Sequence, residues 1–491
     1  MAEHIHPGPP PPGALPRRAN QLANTLVLAF ALAVPALICL HLAVVADPDI
    51  WWHLRTGQWI LEHHHIPHAD PFSSVNAGKP WQAYSWLFEL LTIHLFQRFG
   101  LPGIVAYSAA MVFAVTCAFR HMIHRLQRDF SIVVLLTFVA CFSLTHLDTP
   151  RPWMFTILFF VFEVDILMQA RLTGRTRELL LLPLLFALWS NLHIQFIDGL
   201  LVLALALAES FITHLRPTAQ TRLKPLPAAA ALAASILATF ANPYIWHIYR
   251  TAYDLASQPG VLNKISELQA IPFRTPADFT ILLLTLAATA ALARKRPLPL
   301  FELALLLFGA VVSFRSQRDV WVIVTAAAAI LASSPTPLRR PVVSMPRLTP
   351  WLASALALPL IAAGFPIFHV NQHRLEARLA QDLPVDAIKK IQTGHFAGPL
   401  YNDFTWGGYL IWSLRMPVSL DGRAAFYGDK LIDRSIATWS GEPDWASDQS
   451  LKSAGLVIGP AKSPLTQLLR TDPRFRLVYE DKLAAAFAAR R

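Results

Sequence analysis

Two aspartates separated by one proline follow the first long apolar run and are the residues best suited to chemistry. Asp47 and Asp49 open the stretch Asp47-Pro48-Asp49-Ile50-Trp51-Trp52-His53. A carboxylate can take the proton of a hydroxyl nucleophile, and a pair can hold a divalent cation, magnesium or manganese, that faces a phosphate. We therefore predict that Asp49 and Asp47 are catalytic and could hold a metal ion. The alternative is that Asp49 only caps a helix over residues 50–63.

Aromatic and basic residues after the acidic pair could bind a substrate. Trp52 and His53 follow it directly, and Lys79 precedes a proline and a tryptophan. A cation beside an indole at headgroup level suits a lipid phosphate, although a lysine extended toward water is the commoner explanation. We predict that Trp52, His53 and Lys79 bind substrate. Four histidines could bind a transition metal or form a loop that is merely rich in histidine: His63, His64, His65 and His68.

Two later segments carry similar residues. Asp148 could support the first acidic pair, and Arg151 is a candidate for substrate binding. A surface ion pair between Asp148 and Arg151 is the alternative. His193 ends an apolar segment and could donate a hydrogen bond to a substrate, while Asn191 in the same segment is explained by helix capping.

Composition places these residues in a membrane protein. The 491 residues are 54% hydrophobic and 15% charged, against about 45–50% and about 25% in soluble domains. Apolar runs of about 20 residues recur from residue 24 onward. A soluble enzyme is therefore excluded, and the net charge of +11 indicates membrane topology rather than a nucleic-acid surface. The three cysteines lie inside apolar runs, which excludes a disulfide framework.

Basic clusters between the apolar runs predict the topology, because positive loops mark the cytoplasmic side. The clusters cover residues 17–18, 120–128, 171–177, 216–224, 294–296 and 339–347. Three apolar candidates lie between the basic clusters 17–18 and 120–128. Because both clusters are predicted on the cytoplasmic side, an even number of crossings must separate them, so one candidate does not span the membrane. We predict that residues 82–98 form an interfacial or re-entrant helix. The fold predicted is a polytopic all-α membrane domain of about eleven spans in the cell inner membrane.

The predicted organisation has three parts. Residues 1–23 form a disordered cytoplasmic tail, and residues 24–370 form the transmembrane module with an outer loop over 46–100. Residues 371–491 form a small soluble α/β domain outside the cytoplasm. The extended segments predicted there are 399–402, 417–421, 456–459 and 475–479, and the helices are 387–392, 407–414 and 464–469. Asp421 and Arg423 in this part could bind a glycan, while Trp406 and Trp412 are as well explained by core packing.

Two arginines break the positive-inside pattern. Arg315 and Arg318 fall on the outer face of this topology, next to Asp319. Cations on that side usually have a partner, and a phosphate or pyrophosphate held by arginine suits the position. We predict that Arg315 and Arg318 bind substrate.

The stretch from Asp47 to Gly57, with Trp189-Ser190-Asn191-Leu192-His193, resembles bacterial membrane proteins of the GT-C glycosyltransferase superfamily. Its better-known members are the protein O-mannosyltransferases, the lipid A aminoarabinose transferase and the oligosaccharyltransferase catalytic subunits. The resemblance implies a GT-C-like membrane module and a polyprenyl-phosphate sugar donor. It matches Asp49 and Asp47 to the acidic motif, Asp148 to the second acid and Lys79 to the lysine of a Lys-Pro motif, with a looser match for Arg318. The motif is Asp-Pro-Asp rather than Asp-Glu, so either aspartate could react.

The function predicted is transfer of a sugar from a polyprenyl-phosphate donor to a glycan, lipid or protein acceptor on the outer face of the membrane. Two alternatives remain open. A transporter or flippase would need polar groups at the midplane and usually two related halves, and no internal repeat is visible. A non-catalytic membrane scaffold would leave the outer-face acids incidental.

Overall fold

The computed structural model describes residues 17–45, 47–216, 221–257, 264–335, 348–394 and 396–490. The first part of the chain is helical because its apolar runs lack the β-branched alternation of strands. Its helices are α1 (Arg17–Leu42), α2 (Pro48–His63), α3 (Trp86–Leu126), α4 (Phe130–Ser143), α5 (Trp153–Thr173), α6 (Leu182–Leu192), α7 (Phe196–Leu215), α8 (Pro225–Thr239), α9 (His247–Ala256), α10 (Pro276–Ala293), α11 (Leu300–Arg315), α12 (Val320–Ala332) and α13 (Thr349–Ile367).

The described residues contain six helices that are long and apolar enough to cross a membrane, and two shorter apolar helices. The protein is therefore a multi-pass membrane protein with a largely helical fold. Each apolar span predicted from the sequence overlaps one of the helices α1, α3–α8 and α10–α13. The count of eleven crossings stays a prediction, because α6 has 11 residues and is roughly 16 Å long, shorter than a ~30 Å hydrocarbon layer.

The first helix starts earlier than predicted. Helix α1 begins at Arg17, so the expectation that the disordered tail reaches residue 23 is wrong. Polar residues do not prevent a helix from continuing beyond the apolar run, since arginine and glutamine have good helix propensity. The proline-rich residues 1–16 and the basic residues 339–347 lie outside the described residues.

Helix α3 is broken at Gly100, which has φ 63° and separates residues 86–99 from residues 101–126. A Cβ at Gly103 would lie 2.6 Å from the carbonyl of Leu95, so the chain reverses direction sharply at this point. The segment over 86–99 is thus a separate short helix that packs on α2. Its interfacial or re-entrant placement stays a prediction. Gly57 permits that contact, because a Cβ there would overlap the carbonyl of Glu89.

The C-terminal residues form helices around a four-stranded mixed sheet. The helices are α14 (Gln372–Asp382), α15 (Val385–Gly394), α16 (Gly407–Leu414), α17 (Ala424–Tyr427), α18 (Asp429–Trp439), α19 (Gln449–Lys452) and α20 (Pro464–Leu469). The strands are β1 (Leu400–Asn402), β2 (Leu456–Pro460), β3 (Phe475–Glu480) and β4 (Ala484–Ala489). Their order is β1-β2-β4-β3, with only the first pair parallel.

One expectation for this region is wrong, and one strand was not predicted. Residues 417–421 do not form a strand, and only Val418 makes isolated bridges, to Ser73 and Leu400. Strand β4 is missing from the predictions because five of its six residues are alanine, which has low strand propensity. Its buried position in the sheet overrides that preference.

The C-terminal residues pack directly on the start of the membrane module. Gly408 on α16 lies against the carbonyl of Pro48, so closely that a Cβ would displace it. The rings of Trp51 and Tyr409 meet edge to face with centroids 4.8 Å apart, and one continuous hydrophobic core includes both. This packing fixes helix α2 from two sides.

Candidate active site

A cavity of about 1500 Å³ opens where the two parts of the chain meet. Its wall is formed by the first turns of α2 and α3, the turn before α5, the segment between α6 and α7, helix α9, the turn after α11 and the loop before α17. Side chains from stretches that lie far apart in the sequence therefore line one space. The size and mixed polar and aromatic lining are typical of a ligand site.

Arg151 joins the two aspartates of the first motif. Its Nε donates to Asp47 Oδ1 and Oδ2 at 3.0 and 2.7 Å, and its Nη1 lies 2.7 Å from Asp49 Oδ2. The Arg151 side chain is 9% exposed, and those of Asp47 and Asp49 are 5% and 17% exposed. Of the two carboxylates, Asp49 is therefore the one open to the cavity.

Local structure explains why these groups meet. Asp47 is the N-cap of α2, and its Oδ1 accepts the amides of Asp49 and Ile50 at 2.9 and 3.3 Å. The alternative that Asp49 is the cap is wrong, because the proline at position 48 occupies the first helical position, where proline is favoured. Arg151 is held in the turn before α5 by the hydroxyl of Tyr107, which donates to its carbonyl.

A third carboxylate and a second arginine complete the cluster. Arg151 Nη1 donates to Glu267 Oε1 and Oε2 at 3.1 and 3.0 Å, and Arg318 Nη1 lies 3.8 Å from Glu267 Oε1. Both guanidinium groups lie near the ring of Trp153, with centroid distances of 4.6 Å for Arg151 and 5.3 Å for Arg318. A hydrogen bond from Gln317 N to the carbonyl of Gln269 ties the two segments together.

The electrostatics of the cluster set the protonation of Asp49. Burial raises the pKa of Asp49 to about 7, opposed by the positive charge of Arg151 and reinforced by Asp47 and Glu267. The same three carboxylates hold the pKa of Arg151 well above its ordinary value despite burial. Asp49 thus changes charge near neutral pH, where a proton acceptor is most effective.

The fit of a divalent cation at Asp47 and Asp49 can be judged from their partners. Both carboxylates bind Arg151, and Asp47 also caps α2. In this arrangement a metal ion could bind the pair only by displacing the guanidinium, whose charge already lies between them. No group of three or more metal-binding side chains occurs among the described residues, the exposed histidines at positions 63–65 included.

Two buried histidines line the cavity on the other side of Asp49. His53 Nδ1 lies 3.2 Å from Glu89 Oε1, and His193 Nδ1 lies 2.9 Å from Thr156 Oγ1. Burial is the main cause that holds the pKa of each ring well below its ordinary value, with the charge of Arg151 adding to it at His53 and that of Arg318 at His193. Both imidazoles are therefore neutral at pH 7.

The loop before α17 closes the site from the C-terminal side. Gly422 lies against Asp49 and Trp52, and a Cβ at this position would overlap Asp49 Oδ1. Its neighbour Arg423 is buried and pairs with Asp421 and Asp70 at 2.7 and 2.8 Å. The Arg423 guanidinium also lies 4.5 Å from the ring centroid of Trp81. The glycine thus allows the loop to approach the acidic motif.

The structure brings most of the predicted site residues together. The cavity is lined by Asp49, Trp52, His53, Arg151, His193 and Arg318, and Asp47 lies directly behind them. Besides Asp47, three predicted residues are not among those lining it. Lys79 is exposed and donates to Asn76, and Arg315 is exposed at the end of α11. Asp148 is half-buried, and burial raises its pKa.

The alternative of an Asp148–Arg151 ion pair is wrong, since Arg151 instead binds Asp47, Asp49 and Glu267. Sequence analysis did not select Glu267, Glu89 or Gly422. Glu267 lies in an outer loop of the predicted topology. An acidic residue on the same face as Asp47 and Asp49 is the one sequence feature that could have pointed to it. The glycine could be suspected from the Asp421-Gly422-Arg423 motif, but its contact with Asp49 spans more than 370 residues of sequence.

No protein-family model and no curated protein sequence matches the chain. Solved structures do match it over nearly its whole length. ArnT from Cupriavidus metallidurans bound to undecaprenyl phosphate is 12% identical, with a TM-score of 0.50 over 96% of this chain and 97% of that chain. The same protein in the apo state is 14% identical, with a TM-score of 0.52 over 96% and 98%. The chain therefore has the fold of ArnT, as its resemblance to the GT-C superfamily predicts.

Proposed function

We propose that this protein is a membrane glycosyltransferase that moves a sugar from a polyprenyl-phosphate donor to a hydroxyl acceptor. The observation that carries the proposal is the cluster of Asp49, Arg151 and Arg318 on one wall of the cavity. It combines a proton acceptor with two cations, the two functions that such a transfer needs. One of the ArnT structures of the same fold is bound to undecaprenyl phosphate, which supports a lipid-linked donor.

In the reaction that we propose, the acceptor oxygen attacks the anomeric carbon while the bond from that carbon to the phosphate oxygen breaks. Asp49 takes the proton that the acceptor hydroxyl loses. Its pKa of about 7 suits this role, and general-base help of this kind contributes roughly 10² to 10⁴ in rate. Asp47, which faces Arg151 and the helix amides, holds Asp49 and Arg151 in place.

The electron pair of the broken bond stays on the lipid phosphate, so its negative charge grows during the reaction. Arg318 has a buried Nε without a hydrogen-bond partner among the described residues, and it lies on the cavity wall. Fixed cations in a site that excludes water stabilise such charge without reorganisation. We assign this role to Arg318 and to the cavity side of Arg151. No step requires a metal ion.

The test is a transfer assay on the full chain in lipid nanodiscs, with undecaprenyl-phosphate sugars as donors and extracts of the cell envelope as acceptors. Mass spectrometry would follow loss of donor and formation of glycosylated product. We expect transfer by the wild-type protein with and without EDTA, and a loss of at least about 100-fold in Asp49→Asn. Asp47→Asn should keep part of the activity, because asparagine still caps α2.

Two outcomes would contradict the proposal, and a third would change the roles that it gives to the aspartates. Equal transfer by wild-type protein and Asp49→Asn would mean that Asp49 is not the base. Movement of the donor across the bilayer without formation of any product would instead favour the transporter alternative. Loss of activity in Asp47→Asn with full activity in Asp49→Asn would exchange the roles of the two aspartates.

A further inference from the structure

Two buried polar atoms on the cavity wall have no protein partner. They are Ser85 Oγ and Glu89 Oε2, and neither makes a hydrogen bond within the described residues. The two residues are 1% and 0% exposed, and both line the cavity. Buried side-chain oxygens in folded proteins are nearly always hydrogen-bonded. Two such oxygens in residues that line a cavity therefore point to a polar ligand.

Their spacing places the two oxygens on one surface. Ser85 precedes α3 and Glu89 lies four residues later, so the side chains share one face of the first turn. Ser85 does not use its hydroxyl to cap the helix, and Glu89 keeps one oxygen on His53 and leaves the other free. Ser85 and Glu89 thus each keep one side-chain oxygen without a protein partner, in residues that line the cavity.

This wall is not suited to the phosphate. His53 is neutral, and Arg423 on the adjacent wall is already paired with Asp421 and Asp70. Trp52 and Trp81 stand beside it, with ring centroids 6.4 Å apart. Oxygens that bond hydroxyl groups, next to aromatic rings that pack on C–H faces, fit a sugar ring better than an anion or an alkyl chain.

The position relative to Asp49 fits the same ligand. His53, which binds Glu89, lies one helical turn after Asp49 on α2, a rise of about 6 Å. A sugar whose anomeric carbon is near Asp49 would reach this wall with its far hydroxyls. We infer that Ser85 and Glu89, with His53 behind Glu89, form the subsite that recognises the hydroxyl groups of the transferred sugar. This inference rests on the proposed function and adds its sugar-recognising residues.

The experiment compares two kinds of probe on the full chain in nanodiscs. One is undecaprenyl phosphate, which has no sugar, and the other is undecaprenyl phosphate that carries glucose, mannose, galactose or 4-amino-4-deoxyarabinose. We expect wild-type protein to bind one glycosylated lipid more tightly than the bare lipid phosphate. Ser85→Ala and Glu89→Gln should each weaken binding of that lipid about threefold to tenfold, the effect of one hydrogen bond, and leave binding of undecaprenyl phosphate unchanged.

Ser108→Ala is the matched control, because Ser108 is a buried serine of α3 beyond the break at Gly100, and its hydroxyl donates to the carbonyl of Ile104. It should change neither affinity. Ser85→Ala removes no hydrogen bond of the described structure, so it keeps the test decisive if Glu89→Gln does not fold. Equal affinity of Ser85→Ala and wild-type protein for the glycosylated lipid would overturn the subsite alone. A wild-type protein that prefers no sugar would do the same, and one that binds no lipid would overturn the proposed function as well.

Discussion

Arg151 donates through one nitrogen, Nε, to both carboxylate oxygens of Asp47, although 104 residues separate them in the sequence. Asp47 also accepts two amides of α2, so one carboxylate fixes the start of that helix and the arginine in the turn before α5. The relationship makes Asp47 a positioning residue and leaves Asp49 as the carboxylate that faces the cavity.

Removal of the Asp47 carboxylate should destabilise the protein more than loss of an ordinary cap. We expect Asp47→Ala to lower the free energy of unfolding by about 3 to 5 kcal/mol, because the buried Arg151 loses a partner. Asp129 is the matched control, since it caps α4 with the same geometry and without an ion pair in the described structure. Asp129→Ala should lower it by about 1 kcal/mol. Thermal unfolding in detergent measures this difference. Equal losses of stability in Asp47→Ala and Asp129→Ala would show that the ion pair contributes nothing.

The rate of transfer should depend on pH through Asp49. A base acts only when it is deprotonated, so kcat/KM should rise with pH and level off above a midpoint of about 7. His53 and His193 should not titrate in this window, since their pKa values lie well below the ordinary range. Glu267→Gln should move the midpoint to lower pH, because the charge of Glu267 raises the pKa of Asp49. A flat profile between pH 5 and 9 would exclude Asp49 as the base.

Arg315 at the end of α11 and Arg318 in the turn after it should differ in how much they contribute to binding of the lipid phosphate. Arg318→Gln should weaken binding of undecaprenyl phosphate about tenfold to a hundredfold, as expected for a charged hydrogen bond of about 1.5 to 3 kcal/mol. Arg315 is exposed and is not among the residues that line the cavity, so Arg315→Gln should have no effect. Isothermal titration in nanodiscs would measure the affinity of both variants for undecaprenyl phosphate. Equal losses of affinity would contradict a specific role of Arg318 in binding the phosphate.

A methyl group at position 422 should disturb Asp49 without unfolding the protein. In Gly422→Ala the new Cβ would overlap the Asp49 carboxylate and lie 3.3 Å from Trp52 Nε1. We expect kcat to fall about 100-fold, as for a reacting group displaced by about 1 Å, with lipid binding retained. Gly398→Ala is the control, because its Cβ would meet only the end of the Met416 side chain at 3.1 Å and Leu400 N at 3.7 Å. Unchanged kcat in Gly422→Ala would show that the loop does not position Asp49.

The predicted topology can be tested with single cysteines at exposed residues. In a variant without the native cysteines, His64→Cys and Ser453→Cys should react with an impermeant maleimide in intact cells. Arg128→Cys, in a basic loop, should react only after the cells are permeabilised. Labelling of Arg128→Cys from outside would reverse the predicted orientation.

The sequence predicts the helices and the acidic motif well because both depend on local patterns. Apolar runs in the sequence coincide with the apolar helices of the described residues, and Asp47 and Asp49, two positions apart, lie close together in any fold. Partners across the chain are different. The sequence around Arg151 does not show whether its ion-pair partner is the neighbouring Asp148 or the distant Asp47. The packing of the folded chain brings Asp47 to Arg151. The unpaired oxygens of Ser85 and Glu89 likewise exist only as a property of the folded cavity.

Because Tyr409 covers Trp51 and Gly408 lies against Pro48, the face of α2 that they bury stays open until the ribosome has added the last quarter of the chain. At about 5 to 20 residues per second, roughly 20 to 70 s pass between synthesis of Trp51 and of Tyr409. The membrane helices can insert during that time, but the cavity lacks the wall that Gly422 provides. Maturation of the site is therefore a late event in biogenesis, and a nascent chain that stops before residue 407 would be inserted yet inactive.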